Sequence, residues 1–335
     1  SCQAFVAEGG TGFFAGRTAT ATGRFAASGN KIIIEQVDKL NRVYRYEVSG
    51  GLNWEESDKR IRFVLPTGMF AGRALLYVTD AQGRESRAQA ISVLATPLTT
   101  VSSANYRGDL LAVESLATIF SNALATTTQA ANSSPLPTEL AGTRVAVKDS
   151  LGVERDSPLV FVSPTQINFQ IPEGTATGPA TLTVFNGFGS TSTGVIQIAA
   201  VAPGIFTANS TGKGLAAAVV LRINANGSQE FEPIAVFDPV KADFIAQPIN
   251  LNPVNEQVFL LLFGTGIRRR SALSTVSVQV GGISTPINFA GAQGNFVGLD
   301  QINALLPRTL IGRGEVDVIV SIDGLTTNTV RISIK

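Results

Sequence analysis

Histidine is absent from this 335-residue chain, and cysteine, methionine and tryptophan occur once each. Without His, and with a single Cys, zinc sites built on imidazole or paired thiolates, Ser-His-Asp triads and His-based pH switches drop out. One cysteine, Cys2, also excludes an internal disulfide framework and leaves a free thiol or an intermolecular bridge. Charge is scarce as well: 15% of residues are charged and the net charge is +1. Nucleic acid and anionic membranes attract a basic field, and this chain has none to offer. Long hydrophobic runs are missing too. A stretch such as "VFLLLF" (258–263) is far short of a membrane-spanning helix, so no membrane span is expected. No basic segment leads into an apolar one near the start, and the chain opens at Ser1 rather than Met, which reads as a processed, secreted protein.

What the chain does have is apolar residues, 44% of the total, and repetition. The stretch "VSPTQINFQIP" (162–172) returns as "VGLDQINALLP" (297–307). In the first copy Ile167, Phe169 and Ile171 alternate with Asn168 and Gln170, the two-residue period of a half-buried strand, and Pro172 ends it because proline has no ladder donor. Each copy is followed by a Gly-containing link, a second alternating strand, a turn and a closing strand. A third copy starts at "IRFVLP" (61–66) and continues through Ala74, Leu76 and Val78 to a turn at 80–83. Self-similarity at this spacing is architectural.

Three copies of one closing motif predict an all-β chain of three tandem Ig-like sandwiches, spanning residues 1–97, 98–202 and 203–335. Pro97 and Pro203 stiffen the joints relative to a Gly/Ser linker. The segment 110–125 can be read at helical spacing, yet it occupies the place of 258–267 in the third domain, and we read it as a strand. The third domain carries an insertion with two hairpin signals, one around the turn at 224–227 and one at Asp238-Pro239.

Several ordered blocks, among them "PLPTELAGTRVAVKD", "SPTQINFQIP", "AAVAPGIFTAN", "VFLLLFGTGIR" and "FVGLDQINALLP", resemble a domain found at the C-termini of many secreted Acidobacteria proteins, the Solibacter uncharacterised C-terminal domain. The resemblance covers about 101–335. It implies export and Ig-like β-structure, and brings no catalytic residue and no ligand. The first domain looks more like the general IPT/TIG group of Ig-like folds.

Four polar, charged or aromatic stretches offer candidate chemistry or contacts. Gln166 with Asn168, and Gln301 with Asn303, read either as sugar ligands or as clamps on neighbouring loop backbone; repetition favours the clamp. The acidic run 54–58 lacks both the facing carboxylates of a glycosidase and an EF-hand spacing, and reads as a solvated loop. Arg268, Arg269 and Arg270 read as an exposed loop, or as forks for carboxylates on a neighbouring subunit or an anionic polysaccharide. The N-terminal run with Phe5, Phe13 and Phe14 is either the first strand of its own domain or a donor arm for the open sheet edge of the next subunit.

The sequence therefore predicts no enzyme and no cofactor. The expected role is a secreted, extracellular or cell-surface structural protein that associates with copies of itself into a filament or layer, by strand addition or side-chain contact. Phe5, Phe13, Phe14 and Arg268 to Arg270 are the subunit-contact candidates. A cell-surface adhesin or carbohydrate-binding module, with an extracellular polysaccharide as partner, is the alternative.

Overall fold

The computed structural model describes residues 4–6, 12–23, 29–55, 60–66, 68–189 and 191–335. The described residues are built from β-strands, with two single-turn 3-10 segments at Leu273–Thr275 and Arg308–Leu310. The segment 110–125 forms strands at Leu111–Ala112 and Leu116–Phe120, as its correspondence with 258–267 of the third domain predicts. Tertiary pairing overrides its helical spacing: Ile119 stands opposite Ile167, just as Leu262 stands opposite Ile302.

Each copy of the closing motif lies at the centre of its own sandwich. In the first, Arg60–Val64 sits in a four-stranded sheet with Ala4–Val6, Thr18–Gly23 and Asn53–Glu55. The facing five-stranded sheet runs Gly12–Phe14, Gln89–Leu94, Gly72–Thr79, Lys31–Val37, Val43–Val48. In the second, Gln166–Gln170 pairs with Leu116–Phe120 and Leu159–Val162, and Gly178–Phe185 with Thr191–Ala199 builds the opposite sheet. In the third, Asp300–Leu305 lies between Gln257–Thr265 and Ile287–Ala292, opposite the sheet of Val276–Val280, Gly314–Ile322 and Val330–Ile334.

Ile61, Ile167 and Ile302 are each at most 1% exposed and belong to three separate cores. Alternation explains this: every second residue of these strands faces inward. Burying a side chain of this size contributes roughly 1.5–3 kcal/mol. The prolines that follow (Pro66, Pro172, Pro307) release the chain to cross to the other sheet.

Both predicted hairpins of the insertion form. Ala218–Ile223 pairs with Gln229–Pro233 and extends the third sandwich, while Ala235–Asp238 and Asp243–Ala246 make a separate two-stranded ribbon. Among the described residues no helix is long and apolar enough to cross a membrane.

The candidate functional site: two sealed domain junctions and a cleft

The first junction is aromatic. Phe70 of the first sandwich stacks on Phe188 of the second, with ring centroids 4.7 Å apart, and Tyr44 meets Phe188 edge-on at 5.0 Å. Phe188 reaches this position from the turn between Gly178–Phe185 and Thr191–Ala199; Asn186 Oδ1 accepts from the Phe188 N–H and Asn186 Nδ2 donates to the Ala123 carbonyl. Phe70, Ala123 and Phe188 form a buried cluster distinct from the three domain cores. Polar bonds border it: Asn122 Nδ2 donates to the Ala15 carbonyl at 3.0 Å, and the Arg42 guanidinium donates to the Gly187 carbonyl. In the sequence "NGFG" (186–189) reads as a turn, and nothing local marks its phenylalanine as a plug for a neighbouring domain.

The second junction is ionic and strained. Glu114 lies in the left-handed backbone region at φ 61°. For a non-glycine residue that costs of order 1–3 kcal/mol, so the surroundings must hold it. They do so from both sides: the Glu114 N–H donates to the Ile171 carbonyl, and its own carbonyl accepts Gln170 Nε2 at 3.0 Å. Held this way, Glu114 pairs with Arg269 and lies 3.8 Å from Arg268. Arg268 also grips Asp300 at 2.7 Å, and Asp300 accepts the Ile267 and Arg268 N–H groups. Burial pushes the Asp300 carboxyl above its ordinary range, with the guanidinium of Arg268 and these backbone donors pulling the other way. Across the same seam Thr265 Oγ1 accepts the Leu116 N–H at 2.8 Å and Tyr106 donates to the Ser210 carbonyl, while within the third sandwich Thr265 Oγ1 donates to the Gly298 carbonyl.

These positions revise two expectations. Arg268 is no exposed loop residue: its side chain is 15% exposed, and Arg268 and Arg269 spend their charge on carboxylates of this same chain. Among the described residues the side chains of Gln166 and Asn168 clamp no loop backbone. Gln166 Nε2 donates to Asn168 Oδ1 at 2.8 Å, and Gln301 to Asn303 at 2.6 Å, because residues two apart on a strand share a face. The backbone clamp exists, but Gln170 makes it. The N-terminal segment takes its place in its own sandwich: Gly12–Phe14 pairs in parallel with Gln89–Leu94, Phe13 packs against the first core and Phe14 is 38% exposed. Phe5 lies in the strand Ala4–Val6, opposite Thr22. Cys2 and most of the acidic run 54–58 fall outside the described residues.

Between the second and third sandwiches, beside the Glu114 seam, opens a cleft of about 520 Å³. Leu116, Leu136 and Val160 line it from the second domain, and Phe296 and Leu299 from the third. Among the described residues no three His, Cys, Asp or Glu side chains gather in a way that could hold a metal ion.

These features define a tandem β-sandwich protein. No family model matches the chain, and neither does any curated protein. Among solved structures it is similar to SGBP-B of the Bacteroides ovatus mixed-linkage glucan utilization locus, determined in complex with a mixed-linkage heptasaccharide. The identity is 12% and the TM-score 0.31, over 97% of this chain. The chain spans 65% of the length of that protein. It is also similar to a tetra-tandem repeat from the extending region of a large adhesion protein, at 11% identity and a TM-score of 0.18, over 95% of each chain. Likeness at this level transfers no residue roles.

Proposed function

We propose that this chain is an extracellular structural protein of the Solibacter-type family that it resembles, acting by shape and contact: three sandwiches locked in series form a stiff unit that packs against copies of itself in a filament or surface layer. The observation that carries the reading is the sealing of both junctions, one by the stacked Phe70 and Phe188, the other by Glu114 against Arg268 and Arg269. A flexible tether between binding modules has no use for such seams, whereas a load-sharing assembly does.

Two further features support self-association. The near-neutral net charge lowers repulsion between closely packed copies. The inserted hairpins of the third domain leave Phe231, Val236, Phe237 and Val240 exposed, at 65%, 43%, 52% and 92%. Among the described residues Gln229–Pro233 is the end strand of its sheet, an edge suited to strand addition. These residues replace Phe13 as first contact candidates, since Phe13 is packed on its own core.

Sedimentation velocity across a concentration series, with negative-stain microscopy of the fastest species, tests the proposal. The expected result is concentration-dependent growth into regular polymers, blocked by Phe237→Asp with Val240→Asp. A chain that stays monomeric at the highest concentrations rejects the reading.

A further inference from the structure

The cleft between the second and third sandwiches has a composition that the structural role does not require. Its floor is aliphatic. At its rim Phe296 is 66% exposed, so much of this large apolar side chain faces the opening. Two carboxamides line it from opposite domains, Asn132 and Asn295, and among the described residues neither side-chain amide has a hydrogen-bond partner. Ser133 and Ser134 add hydroxyls on the Asn132 side. No Asp, Glu, Lys or Arg lines it.

The walls are fixed in advance. Thr265 Oγ1 ties the Gly298 carbonyl, two residues from Phe296, to the backbone of Leu116 in the second domain. Gly298 has φ +74°, and a Cβ there would stand 2.6 Å from Leu116 Cγ, so only glycine lets the loop come this close. The volume falls in the range of small-ligand clefts, roughly 300–1,000 Å³.

An exposed aromatic face, unpaired amides on two walls, hydroxyls beside them and no charge suit one ligand chemistry. The ligand must offer apolar C–H faces to stack and hydroxyl groups to exchange hydrogen bonds, and must carry no charge that would be left unpaired. We infer that this cleft binds a neutral saccharide, its ring face on Phe296 and its hydroxyls bridging Asn132 and Asn295. This goes beyond the structural role and stands without it, because a monomer has the complete cleft.

Isothermal titration calorimetry of the full chain with cellohexaose, xylohexaose and mannohexaose tests the assignment, with hexagalacturonate as the charged counterpart. At least one neutral hexamer is expected to bind in the micromolar to millimolar range and hexagalacturonate not to bind. Phe296→Ala is expected to weaken binding roughly tenfold, and the double variant Asn132→Ala with Asn295→Ala by a similar factor. Because these side chains are exposed, the variants keep the parent melting temperature, which separates loss of binding from loss of fold. The assignment is overturned if none of the three neutral hexamers binds at about 10 mM, where a millimolar complex would saturate. It also fails if binding survives Phe296→Ala unchanged, or if hexagalacturonate binds equally well. Loss of polymerisation in Phe296→Ala, without saccharide binding by the parent chain, would give the cleft to a second copy instead.

Discussion

At the residue scale, stability at the turns depends on buried carboxylates that the sequence barely announces. Asp38, Asp80 and Asp149 each open a tight turn and accept N–H groups from two and four residues on. For Asp80 the acceptors are satisfied by the Gln82 and Arg84 N–H groups and by Arg84 Nε at 2.6 Å. The backbone N–H of Arg84 does most to hold this carboxyl below its ordinary 3.8, with burial opposing it. A depressed folded-state value means that the stabilisation is complete above the unfolded value and drains away as pH falls through the depressed one. The melting temperature of the first domain is thus expected to be level from pH 7 to about 5 and to fall below about 4. Asp80→Asn should lower it by several degrees at pH 7 and flatten that acid limb, as scanning calorimetry of both proteins would show. An Asp four residues before an Arg, as at 38–42 and 80–84, was the available signal, but it reads on paper as an ordinary surface ion pair.

At the scale of strands, period and punctuation carried most of the information. Alternation through Ile167, Phe169 and Ile171, closed by Pro172, located the central strand of a sandwich three times over, and both inserted hairpins followed from their turn residues. The partners of polar side chains were not legible. Gln166 and Gln170 look equivalent in "QINFQ", yet one bonds along its strand and the other holds Glu114 in a left-handed conformation, because only the second lies beside the domain seam. Separate cores make a further expectation. Ile302→Ala should destabilise the third sandwich by about 2–5 kcal/mol, the usual cost of a large-to-small change in a core. The first sandwich, whose core shares no residue with it, should keep its melting transition. A simultaneous drop of all transitions in calorimetry would mean that the seams couple the domains into one cooperative unit.

For the whole molecule, the decisive interactions are those between domains, and these were the least legible. Pro97 and Pro203 pointed to stiff joints, but the stiffness comes from side chains remote in sequence: Phe70 with Phe188, and Glu114 with Arg269. Such pairs have no periodicity to betray them. Phe188→Ala removes the centre of the aromatic plug and should free the first sandwich. Small-angle scattering should then show a broader distribution of interatomic distances than for the parent, with the third domain's melting unchanged. An unchanged profile would mean that the polar contacts of Asn122 and Arg42 suffice.

An early segment of each sandwich lies beside that sandwich's last strand, and this has a mechanical consequence. In the first, Gly12–Phe14 runs parallel to the last strand, Gln89–Leu94; in the second, Leu111–Ala112 runs parallel to Thr191–Ala199; in the third, Leu215 bridges in parallel to Arg331. When the two ends of such a domain are pulled apart, neighbouring parallel strands slide lengthwise. Their hydrogen bonds must then break together, instead of opening one after another like a zip. The first two sandwiches, where the parallel contact is a strand pair, are therefore expected to resist tension along their length better than the third, where it is a single bridge.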